Sequence, residues 1–208
     1  MPEERAWLLR ALLVLQSPRP VFAALRDDSD DAARARQEPV MALVGLAGIA
    51  AVLWSPVAGR LLDDPAIDGL LVAVWAFIGG GFYALLGYFG GGALLHAGLR
   101  SAGGLGSYRR ARHLLAFAAA PLALSLALWP VRLAVYGSDV FRTGGSDYGA
   151  GERAFAGLEL GFVAWSVALL LIGIRTVHGW SWLRAAEALA IALIVPALLV
   201  VGSHIFRV

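Results

Sequence analysis

The sequence predicts an all-α, polytopic membrane helix bundle of five transmembrane helices with a short N-terminal interfacial helix. Three observations lead there. Of 208 residues, 59% are hydrophobic and 15% charged, whereas a soluble domain carries about 25% charged residues. The polar surface is too small to coat a globule of this size, as the mean hydropathy of +0.72 also says. Five apolar stretches reach the roughly 20 residues that a spanning helix needs. Arginine is shared unevenly between the segments that join them, as topology control by positive charge requires.

Residues 1–38 read as a cytoplasmic segment and residues 39–208 as the transmembrane domain. Glu3 to Gln16 predicts a short helix with Trp7, Leu8, Leu12 and Leu15 on its apolar side. Its uncharged run, Ala11 to Gln16, is too short to span and has no small-residue cleavage site after it. An interfacial helix on the cytoplasmic leaflet fits better than a signal peptide. Ser17-Pro18-Arg19-Pro20 breaks it, Val21 to Leu25 starts a second turn, and Asp27, Asp28, Asp30 and Asp31 read as a solvated acidic linker up to Glu38-Pro39.

The expected spans are Pro39–Ala58, Asp68–Leu99, His113–Tyr136, Phe155–Ile174 and Leu183–Phe206. The second exceeds what a bilayer requires, so it must tilt, project, or kink near Gly79-Gly80-Gly81 or Gly90-Gly91-Gly92. With the N-terminus inside, twelve arginines face the cytoplasm: Arg5, Arg10, Arg19, Arg26, Arg34, Arg36, Arg100, Arg109, Arg110, Arg112, Arg175 and Arg184. Arg60, Arg132, Arg142, Arg153 and Arg207 fall outside, which puts the C-terminus there too. Trp54, Trp75, Trp129 and Tyr136 then sit near the outer interface, and Tyr108, Trp180 and Trp182 near the inner one.

A shift of 75 residues lays Gly98-Leu99-Arg100-Ser101 over Gly173-Ile174-Arg175-Thr176, Gly104 over Gly179, Arg109 over Arg184 and Pro121 over Pro196. Both copies sit at a cytoplasmic turn followed by an outward helix, which is a parallel repeat of two hairpins behind one leading helix. Pro121 and Pro196 should kink the two outward helices alike.

Three segments carry a family likeness. Ser17-Pro18-Arg19-Pro20-Val21-Phe22 is similar to a Pro-x-x-x-Phe entry motif. Gly103-Gly104-Leu105-Gly106-Ser107-Tyr108, followed through Arg109 to Ala116-Phe117-Ala118-Ala119-Ala120-Pro121, matches a "GG-x-GS-aromatic … A-aromatic-A-x-x-P" core. Trp165 through Gly173-Ile174-Arg175-Thr176-Val177-His178-Gly179 matches the "W … GLR-x-x-hydrophobe-G" turn that follows it. In these the chain resembles the Yip family, the Ypt/Rab-interacting membrane proteins, in its bacterial branch. The resemblance implies five spans, a cytoplasmic N-terminus, an external C-terminus and a non-enzymatic role in a bacterial inner membrane. Eukaryotic members bind prenylated Rab-type GTPases, but their Asp-Leu-Tyr-Gly-Pro element has no convincing copy here, and that role is not carried over.

Several chemistries are struck out by residue type. There is no Cys, hence no disulfide and no thiolate metal site. All 17 basic residues are Arg, so neither a Schiff base nor a P-loop lysine exists. Gly104-Leu105-Gly106 starts a dinucleotide-like pattern, but Arg109 stands where its third glycine belongs. The pI near 9.4 accompanies a net charge of only +2, which fits Arg-rich loops rather than nucleic-acid binding. His96, His113 and His178 lack metal-ligand spacing and read as interfacial hydrogen-bonding residues. No catalytic constellation, cofactor site or metal site is expected.

The candidate functional residues are therefore few. Arg132 and Glu159 are ionisable groups in or beside spans, and ionisable groups in a membrane are usually paired; a pair across the third and fourth helices is expected, with separate snorkelling to the interface as the alternative. Arg100, Arg109, Arg110 and Arg112 form a cluster placed to meet anionic headgroups or a partner, or merely to fix topology. Gly87 with Gly91 and Gly157 with Gly161 have small-xxx-small spacing, suited to helix packing within the chain or to self-association. Expected partners are the lipid bilayer and another membrane protein or a second copy. The leading function is a scaffold, adaptor or membrane-organising element; the alternative is a small transporter or channel using a polar path near Arg132 and Glu159.

Overall fold

The computed structural model describes residues 9–55, 63 and 69–205. Among these every regular element is helical and there is no strand. After a helical stretch at 9–13 come α1 (Pro18–Ala24), α2 (Asp30–Ala35), α3 (Gln37–Leu53) and α4 (Gly69–Leu85). A π-helical segment (Leu86–Gly91) joins α4 to α5 (Gly92–Ser101). Next are α6 (Tyr108–Ala118), α7 (Ala120–Leu124), a 3-10 turn and α8 (Leu128–Tyr136), then α9 (Ala150–His178) and α10 (Trp182–Ile205).

Among the described residues, three helical stretches are long and apolar enough to cross a membrane: Ala73–Ser101, Tyr108–Tyr136 and Ala150–His178. The leading helix α3 is shorter than expected. It ends at Leu53 with Trp54 as its cap, and its 17 residues give about 26 Å at 1.5 Å per residue. The remainder of the expected first span, like Trp7, Leu8, Arg60 and Arg207, lies outside the described residues.

Local chemistry sets the helix ends. Ser107 caps α6 by accepting from the Arg110 N–H at 3.0 Å, and Ser181 caps α10 by accepting from Arg184 N–H at 3.3 Å. Gly179 ends α9 in the left-handed conformation, φ 68°, where only glycine sits without strain. The two capping serines stand one residue out of the 75-residue register that aligns the arginines and prolines, so the second turn is the tighter one.

The long second segment breaks from α geometry at Leu86–Gly91. That is where the second of its two glycine triples begins, whereas Gly79-Gly80-Gly81 stays α-helical. Pro121 and Pro196 do not act alike. Pro121 lies in the first turn of α7, after a break at Ala119. Its missing N–H is harmless there. Pro196 lies inside an unbroken α10.

Close packing uses other glycines than the spacing suggested. Gly87, Gly157 and Gly161 have nothing within 4 Å of a built Cβ, and Gly91 meets only the Leu115 side chain. Instead, Gly48 lies against the backbone of Gly80 and Ala84, which joins α3 to α4. Gly98 lies against the Ala188 carbonyl, which joins α5 to α10. Spacing fixes which glycines share a stripe, but helix rotation decides which stripe meets a neighbour.

The core holds Val14, Val21, Phe22 and Leu25 from the N-terminal segment together with Leu99, Leu114, Phe117 and Ile174 from the bundle. Leu12, placed on the apolar side by the sequence, is instead exposed along with Leu9 and Leu13, while Ala11 and Val14 face the core. Phe22 seats on α9, where a Cβ at Gly173 would come within 2.9 Å of its ring. The repeat-related glycines Gly98 and Gly173 thus do the same job for different occupants: α10 packs on the first, α1 on the second.

Candidate functional site

The acidic run is only partly a solvated linker: Asp27, Asp30 and Asp31 are exposed, but Asp28 is half-buried and held by the bundle. Asp28 accepts from Arg109 Nε at 3.2 Å and from Arg36 at 3.4 Å. It also accepts from the Ser107 hydroxyl, while its main-chain carbonyl accepts from Arg109. Asp30 accepts from Arg109 Nη1 at 2.5 Å. Burial alone would raise the Asp28 carboxyl, but the Ser107 hydroxyl and the Arg109 guanidinium outweigh it and hold the group below its ordinary value. The Arg109 bond lowers Asp30 in the same way.

Arg36, fully buried, donates through Nε to His113 Nδ1 at 2.7 Å and through Nη1 to the Asp27 carbonyl at 2.8 Å. Because Nδ1 accepts, it carries no proton, so the neutral ring keeps its proton on Nε2. The expectation for His113 is an interfacial hydrogen bond; its partner is this interior guanidinium, carried by the single residue between α2 and α3. Among the described residues, no group of three or more His, Asp or Glu side chains stands where it could hold a metal ion.

Further arginines tie the same end of the bundle together. Arg26 donates to the Thr176 carbonyl at 2.5 Å, Arg110 to the Arg26 carbonyl at 2.9 Å, and Arg184 to the Ala102 carbonyl at 2.7 Å. The repeat-related Arg109 and Arg184 therefore both reach back, one to the N-terminal segment and the other to the first hairpin turn. Of the four cluster residues expected to meet headgroups or a partner, Arg109 and Arg110 are engaged inside the chain. Arg100 is exposed, and Arg112 lies among the rings of Tyr88, Phe89 and Tyr108 at 4.9, 5.0 and 4.6 Å. Such ring contacts recur: Arg184 covers Trp180 and Arg175 covers Trp182. The aromatics expected as interface anchors serve also as seats for guanidinium groups.

At the other end of the bundle, Arg132 on α8 lies 3.9 Å from Glu159 on α9. Its nearer partner is Asp147, at 2.5 Å, in the loop before α9. Sequence reasoning missed Asp147 because the Gly-rich stretch 144–149 carried no periodicity, although the acid in it was visible. Trp129 stacks on Phe141 with ring centres 5.1 Å apart and supports the same guanidinium. Asp63 accepts from the Thr143 N–H at 2.8 Å and from its hydroxyl. A cavity of about 520 Å³ opens here between helix ends and loop. It is terminal, not the midplane polar path that a transporter needs, and it gives the transport alternative no support.

The Arg-rich end borders a larger cavity, of about 960 Å³, between α2, α3, α4 and α6. An apolar trough of about 520 Å³ continues from it along the π segment. The two share Val44, Ala84 and Tyr88 in their walls.

No curated protein and no solved structure matches this chain. The model of the Yip1 domain family matches residues 12–204, which takes in most of the N-terminal segment as well as the apolar helices. A helical, apolar chain aligned over nearly its whole length with one family model belongs to that family: this is a membrane protein of the Yip1 domain family.

Proposed function

We propose that the protein is a non-enzymatic scaffold or adaptor of a bacterial inner membrane. On this reading it crosses the bilayer five times, with α3, the α4–α5 segment, the α6–α8 segment, α9 and α10. The N-terminus is cytoplasmic and the C-terminus external, in line with the arginine bias. The observation that carries the proposal is the Asp28 network. Through Arg36, Arg109 and Ser107 it bonds the N-terminal segment, the first hairpin turn and α6 into one face. Charged groups fixed to each other position a surface; they are not arranged around a reacting atom.

Two experiments test this. The chain has no native cysteine, so single variants report topology cleanly. Leu105→Cys and Tyr148→Cys lie at positions 92% and 75% exposed, in the turns at opposite ends. A membrane-impermeant maleimide should label Tyr148→Cys in intact spheroplasts and Leu105→Cys only after lysis; the reverse pattern removes the orientation. For the scaffold role, a photo-crosslinking residue is placed at the exposed Arg26 or Arg100. Both positions should give the same protein adduct in native membranes, and Asp28→Ala should lose it while still inserting. The reading falls if no adduct forms, or if the purified chain alone turns over a substrate.

A further inference from the structure

We infer that the Arg-rich end holds one anionic phospholipid, its phosphate at Arg112 and an acyl chain in the apolar trough beside the π segment. The inference rests on membrane placement and not on the scaffold role, so the two can fail separately.

Arg112 is a cation that the local acids leave over; Arg175, against Trp182 and likewise with an unpartnered Nε, is another, but it lines neither the cavity nor the trough. Arg36 and Arg109 are bound to Asp28, Arg109 also to Asp30, and Arg34 to Asp31. Among the described residues no carboxylate pairs with Arg112, and its Nε is shielded from solvent with no hydrogen-bond partner. A guanidinium at the edge of the membrane, partly desolvated and without an acid, is costly. The rings of Tyr88, Phe89 and Tyr108 offset part of that cost and fix the group in place. The Tyr108 hydroxyl is itself held, donating to the Phe89 carbonyl at 2.7 Å. The result is a prearranged cation that lacks an anion.

The space around it has the shape of the ligand. Arg34, Arg109 and Arg112 share the wall of the 960 Å³ cavity with a single acid, Asp30. Its other side is apolar, made by α3 and α4, where Gly45 and Gly81 have nothing within 4 Å of a built Cβ. Bare backbone at those two positions leaves a groove, and the groove passes Val44, Ala84 and Tyr88 into the trough beside Gly87. A cationic mouth leading to an open apolar trough complements a molecule with an anionic head and a hydrocarbon chain. A free phosphate would leave the trough unused, and a zwitterionic lipid would bring its own cation to a rim already rich in arginine. The π segment forms one wall, and departures from α geometry are frequent at binding sites.

The test uses the full chain in detergent and two tail-labelled probes with identical acyl chains, phosphatidylglycerol and phosphatidylcholine. Phosphatidylglycerol should bind at least tenfold more tightly. Arg112→Gln should reduce that preference about tenfold, whereas Arg100→Gln, at an exposed position, should leave it unchanged. Gly45→Leu, whose Cβ would enter open space in the groove, should weaken both probes and keeps the test decisive should Arg112→Gln fail to fold. Glycerol phosphate, the head without chains, should not compete. Equal binding of the two lipids in the parent chain would assign the trough to ordinary annular lipid. Unchanged phosphatidylglycerol binding in Gly45→Leu, or equal effects of the two arginine variants, also overturns the site. Competition by glycerol phosphate as strong as by the whole lipid would make it a small-anion site instead.

Discussion

At the scale of residues, two acids govern the ends of the bundle. Asp28 serves Arg36, Arg109 and Ser107 together, so Asp28→Ala removes a carboxylate from a shared network. The expected loss is about 3 kcal/mol, typical for removing one partner of a buried charge pair, read by thermal unfolding in detergent. The same bonds set an acid limit. Asp28 and Asp30 sit below their ordinary value of 3.8 in the folded chain, so their stabilisation is complete above that value. It is lost as the pH falls through the lowered, folded values. A pH series should show an acid limb in the parent chain that flattens in Asp28→Ala; identical limbs would remove these acids from the account. At the other end, Asp147 is 5% exposed and lies nearer Arg132 than Glu159 does. Asp147→Asn should therefore cost roughly 2–3 kcal/mol, and Glu159→Gln under about 1 kcal/mol at its longer distance. The opposite order would make Glu159 the main counter-ion.

Elements are joined where a glycine lets a neighbour approach. Gly98 admits the backbone of α10 and Gly48 that of α4, whereas Gly87 faces open space. Gly98→Leu should destabilise by about 1–3 kcal/mol or more through overpacking, and Gly87→Leu should not destabilise at all, both by thermal melts. Equal effects would mean that α5 and α10 do not approach as described. Much at this scale was readable from sequence. The apolar runs placed the helices of the second, third and fourth spans, since any chain segment in lipid must satisfy its backbone internally. Gly90-Gly91-Gly92 marked one of two places where the long segment could break, whereas the cap that Ser107 makes on α6 was visible only in the structure. The packing glycines were not readable, because the rotation of each helix depends on its partners.

Across the whole molecule, the N-terminal segment is part of the bundle. Phe22 is fully buried and fills the place that Gly173 leaves on α9. Phe22→Ala should cost about 3–5 kcal/mol and should expose the segment around Asp27 to protease before the transmembrane helices are lost. Global melting without an earlier cleavage step would show that the segment and the bundle unfold as one unit.

Sequence alone determined the membrane class, the family, most helix positions and the expectation that Arg132 is paired, because each follows from composition, periodicity or motif along a continuous stretch. It placed Arg109 and Arg112 in one cluster but gave them equal standing. Only the tertiary structure divided them. The fold brings Asp28 and Asp30, at the junction of α1 and α2, to Arg109, about 80 residues away, and leaves Arg112 among three rings without an acid. Which charges meet is a property of the folded path, and the bond partners of a side chain far along the chain leave no periodic trace in the sequence.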